Sequence, residues 1–286
     1  MTVFETRVNG ITTDQLPVSD RAVQFGDGVF ETLRVQQGQP LFLARHLSRL
    51  WAGCERLGIE TAGLTALSKD IRSMAERFPE SVVKIIISRG QSSRGYAVDA
   101  ASGPGCIIRV ARAPSWPAAI QTLGIDARLC GTRLARQPLL AGIKHLNRLE
   151  QVMARREWHD ACIREGLLLD DQDHIIEGTM SNLFLIKQGR LQTAGLSSCG
   201  VAGIIRSVLF DIACAEQLPL DIGTLDSDSL CQADEVFVCN SLIGIWPVRS
   251  IRGVAEYGAA GRLTRKLQQY LVERAECDNS EQWYAT

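Results

Sequence analysis

The stretch Ala113–Ala119, APSWPAA, constrains this chain's fold more than any other. Pro114 and Pro117 lack the amide donors that a helix or a sheet ladder needs, and each pushes the residue before it toward extended geometry. The chain is predicted to break here into an N-terminal α/β domain over 1–112, a linker over 113–119 and a C-terminal domain over 120–286. With 286 residues in all, both parts have enough chain to bury a core.

Ahead of the break, VFETRVNG, ITTDQLPVSDRAVQFGDG and GVFETLRVQQGQPLFL read as strands and turns. Leu47, Leu50, Trp51, Cys54 and Leu57 recur at helical spacing and predict an amphipathic helix over 44–59. A second helix over 64–77 and strands over 82–88 and 106–112 follow. Beyond the break, strands over 124–130, 166–169, 182–187 and 235–239 alternate with helices over 147–162, 203–217 and 258–275. The pattern is α+β, or mixed α/β, in two domains. The terminal CDNSEQWYAT reads as a loose polar tail.

A formal net charge of −1 gives no electrostatic drive toward nucleic acid or an anionic membrane. MTVFETRVNGITTD has neither a basic leader nor an apolar stretch, and no later run reaches bilayer length, so the chain is predicted to be cytoplasmic. The nine cysteines are odd in number, form no CxxC pair and sit partly in apolar runs such as Val238-Cys239. They read as small buried hydrophobes, with neither a disulfide frame nor a metal site.

Only five of the 31 basic residues are lysines. Lys69, Lys187 and Lys266 lie in polar surroundings and read as solvated. Lys84 interrupts the apolar strand VVKIII, where it could line a cleft or point out from an edge. Lys144 follows Leu139-Leu140-Ala141-Gly142-Ile143, apolar company that disfavours an ammonium and suits an imine-forming amine. A snorkelling lysine at a helix start is the alternative, and local context alone favours it.

Five distant runs, QFGDGVFETLRV, ISRGQSSRGY, AGIKHLNRLEQV, IIEGTMSNLF and GVAGIIRSVL, together resemble the fold-type IV pyridoxal-phosphate enzymes, in order and over nearly the whole chain. The resemblance implies a smaller N-terminal α/β domain and a larger cofactor domain with a β-barrel-like core. It also implies pyridoxal 5'-phosphate as cofactor and a homodimer. Lys144 matches the lysine that forms the internal aldimine and serves as acid and base. Glu177 matches the carboxylate that pairs with the pyridine nitrogen, keeping it protonated so that the ring can withdraw electrons. Arg49 matches the phosphate arginine, and reads as lying on the polar side of its helix. Gly203, Ile204 and Ile205 open a helix whose N-terminal amides suit an anion, and Ser241 with the amide of Leu242 matches a further phosphate contact.

For the substrate, Arg94 and Tyr96 match a loop that grips a carboxylate in related transaminases. Strand alternation groups Phe30, Thr32 and Arg34 on one side, so Arg34 and Phe30 are further substrate candidates, with Asn147 beside the lysine. The run HLNRLEQ after Lys144 is similar to the branch that splits 4-amino-4-deoxychorismate into 4-aminobenzoate and pyruvate in folate biosynthesis. A transaminase of D-amino acids or branched-chain amino acids is the alternative. Phe30 stands where D-amino-acid transaminases carry tyrosine, while Glu177-Gly178-Thr179 is transaminase-like. A non-catalytic binding protein of the same fold would be expected to lack Lys144 or Glu177.

Overall fold

The computed structural model describes residues 2–92, 95–98 and 103–280, the last four by backbone alone. It divides into two compact units, one of Met1–Ser115 with Ile143–Asn147 and Asp278–Thr286, and one of Trp116–Gly142 with Arg148–Cys277, which holds the C-terminal helix Arg262–Ser280 but for its last three residues. No described helix is long and apolar enough to cross a membrane.

The first unit runs β1 (Val3–Val8), β2 (Ile11–Thr12), α1 (Arg21–Phe25), β3 (Gly28–Gln36), β4 (Gln39–Pro40), α2 (Leu43–Leu57), α3 (Leu67–Arg77), β5 (Ser81–Ser88) and β6 (Gly105–Arg112). Its antiparallel sheet has the order β2-β1-β6-β5-β3-β4. Alternation along β3 sorts its side chains. Val29, Leu33 and Val35 pack with Leu50 and Cys54 of α2 and with Ile71 and Met74 of α3. Phe30, Thr32 and Arg34 are half-buried on the other face, opposite Ile86, Lys84 and Val82 of β5. The α2 helix stops where Gly58 turns left-handed (φ 63°) and donates its amide back to Cys54 and Glu55.

Residues 143–147 are tied onto β3. Phe30 donates its amide to the Lys144 carbonyl (2.9 Å), Leu146 donates to Gly28 (3.0 Å), and Asn147 Nδ2 donates to the Gly26 carbonyl (3.1 Å). Gly26 is itself left-handed, at φ 64°, and a Cβ there would meet Asn147 Oδ1 at 2.7 Å.

The second unit runs α4 (Ile120–Leu123), β7 (Ile125–Leu134), α5 (Leu149–Arg155), β8 (Ile163–Asp170), β9 (Ile175–Gly178), β10 (Asn182–Lys187), β11 (Arg190–Ala194), α6 (Ile204–Ala215), β12 (Leu220–Gly223), α7 (Ser227–Cys231), β13 (Glu235–Asn240), β14 (Gly244–Ile251), β15 (Ala255–Glu256) and α8 (Arg262–Ser280). Strands β10, β13, β14, β7, β8 and β9 follow one another in the sheet, and β9 then pairs back with β10. The six form a closed barrel, completed by the single rung Asn182–Glu177. Leu167, Leu169, Leu183, Leu185, Val236, Val238 and Trp246 belong to one buried cluster, the period-two output of these strands.

The helix predicted over 147–162 is much shorter, ending at Arg155. Tertiary bonds take over from the helical ladder there. The buried Trp158 donates its indole N–H to the Ile163 carbonyl (3.1 Å), and Glu157 accepts from the amides of Gly131 and Thr132 (2.7 and 2.8 Å). The last helix continues past its predicted end at Ala275 to Ser280, so the tail begins later than its polarity suggests, and residues 281–286 lie outside the described chain.

All eight described cysteines are free. Burial pushes the thiols of Cys54, Cys130, Cys199 and Cys239 up to about 12, which leaves them inert hydrophobes.

Candidate active site

In the first unit, Lys144 is half-buried behind the buried Ile143, and its Nζ lies 4.4 Å from the centre of the Phe30 ring. Lys84 Nζ lies 5.1 Å from the same ring. Two lysine amines thus lie against one aromatic ring, each such contact worth about 0.5–2 kcal/mol depending on desolvation. Thr32 pairs with Lys84 on the next rung, and Arg34 lies two residues farther along the same face as Phe30. The polar lysine inside VVKIII therefore falls beside the lysine singled out for chemistry, a neighbour that sequence separation concealed.

Behind Phe30, on the helix side of β3, Glu31 is completely buried. Arg49 grips it with two bonds, Nε to Oε1 and Nη2 to Oε2, both 2.6 Å, and His46 Nδ1 lies 2.6 Å from Oε2. Burial alone would raise the Glu31 pKa, but His46 and Arg49 outweigh it and hold the carboxyl at about 2. Burial lowers the pKa of His46, against the pull of Glu31, and the charges of Arg49 and Lys144 add to the lowering. Since an ionised carboxylate can only accept, His46 carries its proton on Nδ1. Arg49 was expected on the polar side of α2. Instead it flanks the buried stripe and turns its guanidinium onto Glu31, because an isolated buried carboxylate would cost several kcal/mol.

The loop expected to grip a carboxylate is held at Gly95, Tyr96 and Ala97 by Arg21, which donates to their carbonyls and pairs with Asp27 at 2.8 Å. Tyr96 is 85% exposed, and its ring lies 5.4 Å from that of Phe25. Arg94 lies outside the described residues.

In the second unit, Glu177 is buried and accepts the Val201 amide at Oε2 (2.8 Å). The Val201 carbonyl accepts from Asn182 Nδ2 (2.8 Å), and Asn182 is the partner of Glu177 on the closing rung. A Cβ on Gly203 would collide with Asn182 Oδ1, which explains glycine at the entry to α6. One loop thus joins a buried carboxylate to a helix N-terminus. Ile204 and Ile205 point their side chains into the core, leaving this helix end to act through its backbone. Burial lowers the pKa values of Arg148 and Arg206, and the charge of Glu177 offsets part of the shift in both.

Ser241 and Leu242 lie in the turn between β13 and β14. The Leu242 amide, expected to meet a phosphate, donates to Asn240 Oδ1 (2.8 Å), a partner that a bound anion would have to displace or share. Asn240 Nδ2 donates to the Met180 carbonyl (3.0 Å), tying this turn to the one that follows Glu177. Asn182, Asn240 and Val201 escaped notice in sequence because two are ordinary amides and the third acts only through its backbone.

Each unit on its own fits the expected cofactor. The second offers a buried carboxylate for a ring N–H⁺ and a glycine-entered helix of 12 residues for an anion. The first offers a lysine amine over an aromatic face. Among the described residues, no group of three or more His, Cys, Asp or Glu side chains could hold a metal ion.

Residues 28–251 match the family model described as amino-transferase class IV. The chain belongs to that family. Within it, the chain is 36% identical over 263 residues to an aminodeoxychorismate lyase of Vibrio harveyi, covering 91% of this chain and 97% of that one. The crystal structure of 4-amino-4-deoxychorismate lyase from Pseudomonas aeruginosa is similar at 44% identity and a TM-score of 0.89, over 94% of this chain and 98% of that one. A D-alanine aminotransferase of Bacillus licheniformis is 29% identical over 274 residues, 94% of this chain and 95% of that one. Class IV membership accounts for the mixed α/β architecture with its barrel.

Proposed function

We propose that this chain is a pyridoxal-phosphate-dependent lyase that converts 4-amino-4-deoxychorismate to 4-aminobenzoate and pyruvate, a step of folate biosynthesis. The observation that carries the cofactor part is the loop joining Glu177, through Val201 and Asn182, to the Gly203 entry of α6. The choice of lyase rests on the identity of 36% and 44% to two lyases, against 29% to the aminotransferase, and on the HLNR run after Lys144.

When bound, pyridoxal phosphate supplies an electron sink for negative charge developing on the substrate carbon that bears the amine. Glu177 would hold the ring nitrogen protonated, and Gly203, Ile204 and Ile205, with Arg49 and Ser241, would hold the phosphate. Lys144 would hold the cofactor through its amine and would serve as the base that takes the proton from the amine-bearing carbon. It would then return a proton to the methylene of the departing enolpyruvyl group, which leaves with its ether oxygen as pyruvate while the ring becomes aromatic. Arg34, Phe30, Asn147, Tyr96 and Arg94 would meet the substrate. Lys84 joins this set through its place over Phe30.

The enzyme would act as a cytoplasmic homodimer. Leu149, Val152 and Met153, at helical spacing on α5, are 77%, 53% and 52% exposed, the kind of apolar stripe that a second copy would cover.

The test is coupled product detection. Incubation with 4-amino-4-deoxychorismate should release 4-aminobenzoate and pyruvate in equal amounts, and Lys144→Ala should abolish both. Borohydride should fix pyridoxal phosphate to Lys144 in the wild type. Rapid transamination of D-alanine without 4-aminobenzoate would reject the lyase reading in favour of an aminotransferase.

A further inference from the structure

The short turn between Glu177 and Asn182 is built around a residue outside it. Glu165, on β8, is completely buried, and its carboxylate gathers four donors. Oε1 accepts the amides of Gly166 (2.9 Å) and Thr179 (3.0 Å) and the Thr179 hydroxyl (2.6 Å), and Oε2 accepts the Ser181 hydroxyl (2.6 Å). The turn closes on itself where Gly178 donates its amide to the Ser181 carbonyl (2.7 Å). No side chain fits at 178, since a Cβ there would strike Ser181 Oγ and come within 2.7 Å of Glu165 Cδ. The glycine, threonine and serine of EGTMSN thus follow from one buried carboxylate: glycine for space, threonine and serine for hydroxyl donors.

From this geometry we propose that Glu165 is a positioning residue, which fixes the direction of Glu177 by filling the turn behind it. The proposal rests on the cofactor reading above. Glu177 and Asn182 leave the two ends of the turn, pair on the closing rung and meet again at Val201. Slack in residues 178–181 would be passed to both. Burial pushes the Glu165 pKa up and its four donors oppose the rise, so the role depends on the donors being gathered. An amide can still gather them. Glu165→Gln keeps an oxygen toward Gly166 and Thr179, and its NH2 can donate to a Ser181 hydroxyl that has turned to accept.

The experiment is absorbance titration of the apoprotein with pyridoxal phosphate, in the wild type and in variants shown by melting to be folded. Glu165→Ala should weaken binding about tenfold or more, and Glu165→Gln should recover most of that loss. In combination with Glu177→Gln, Glu165→Ala should cost less than about threefold, because its effect runs through Glu177. Equal costs on both backgrounds, or wild-type affinity in Glu165→Ala, would overturn the proposal. If Glu165→Ala does not fold, Ser181→Ala carries the same prediction, with a loss of about threefold that vanishes beside Glu177→Gln. A wild-type protein that takes up no pyridoxal phosphate defeats the cofactor reading itself, whereas uptake indifferent to Glu165 and Ser181 defeats only this role.

Discussion

Asn182 faces Glu177 across the one rung that closes the barrel, and its side chain also sets the room available at Gly203. Gly203→Ala should therefore destabilise the protein by about 1–3 kcal/mol, the usual cost of overpacking a fitted contact. Asn182→Ala should cost a similar amount by leaving the Val201 carbonyl without its donor. The two should not add, because removing the asparagine makes room for the new methyl. Urea unfolding of both single variants and the double variant measures the coupling, and strict additivity would refute the contact.

Glu31 sets a pH dependence of known sign. Its carboxyl is held at about 2 against an ordinary 4.5, so its pairing stabilises the fold above pH 4.5 and is lost as the pH falls toward 2. A depression of that size corresponds to about 3 kcal/mol. The stability gap between wild type and Glu31→Gln, which cannot titrate, should narrow by about that amount between pH 6 and pH 2. A gap independent of pH would mean that the fold leaves the carboxyl at its ordinary pKa, and one that widens toward pH 2 would mean that the fold holds it neutral.

The aromatic face under Lys144 offers a third test. Phe30→Leu keeps the apolar volume but removes the ring beneath both ammoniums. Losing about 0.5–2 kcal/mol corresponds to a fall in kcat/KM of about 2- to 30-fold. Steady-state kinetics on 4-amino-4-deoxychorismate would register it, with Phe30→Tyr expected to retain most of the activity.

A charge in the exposed stripe of α5 probes the dimer. Val152→Asp adds an anion to a side chain already 53% exposed, so the fold should tolerate it, while a symmetric apolar contact would not. Gel filtration and light scattering should find a dimer for the wild type and a monomer for the variant.

The strongly periodic elements could be read from the sequence. The stripe Leu47, Leu50, Cys54 predicts α2 nearly to its ends, and strands such as Asn182–Lys187 coincide with the structure because apolar alternation and burial have one cause. The helix that failed, over 147–162, failed where Trp158 and Glu157 find distant partners, and no local window contains them. The same limit applies to the site. Lys144 and Glu177 stand out by resemblance, but Glu31, Lys84, Asn182 and Glu165 acquire meaning only from neighbours brought together by folding. Arg49 illustrates it best: helical periodicity counts it as polar, but cannot see the carboxylate on β3 that it holds.

Cys199 stands two residues before Val201, the residue that holds Glu177, and is 5% exposed with its thiol raised to about 12. A thiol reagent would meet the exposed Cys162, Cys214 and Cys231 at once. It would reach Cys199 only during moments when the 199–203 loop lifts away and the thiol regains ordinary acidity. Its modification rate, followed by mass spectrometry, is a native clock for how often the grip on Glu177 is released, and ligand binding that steadies the loop would slow that clock.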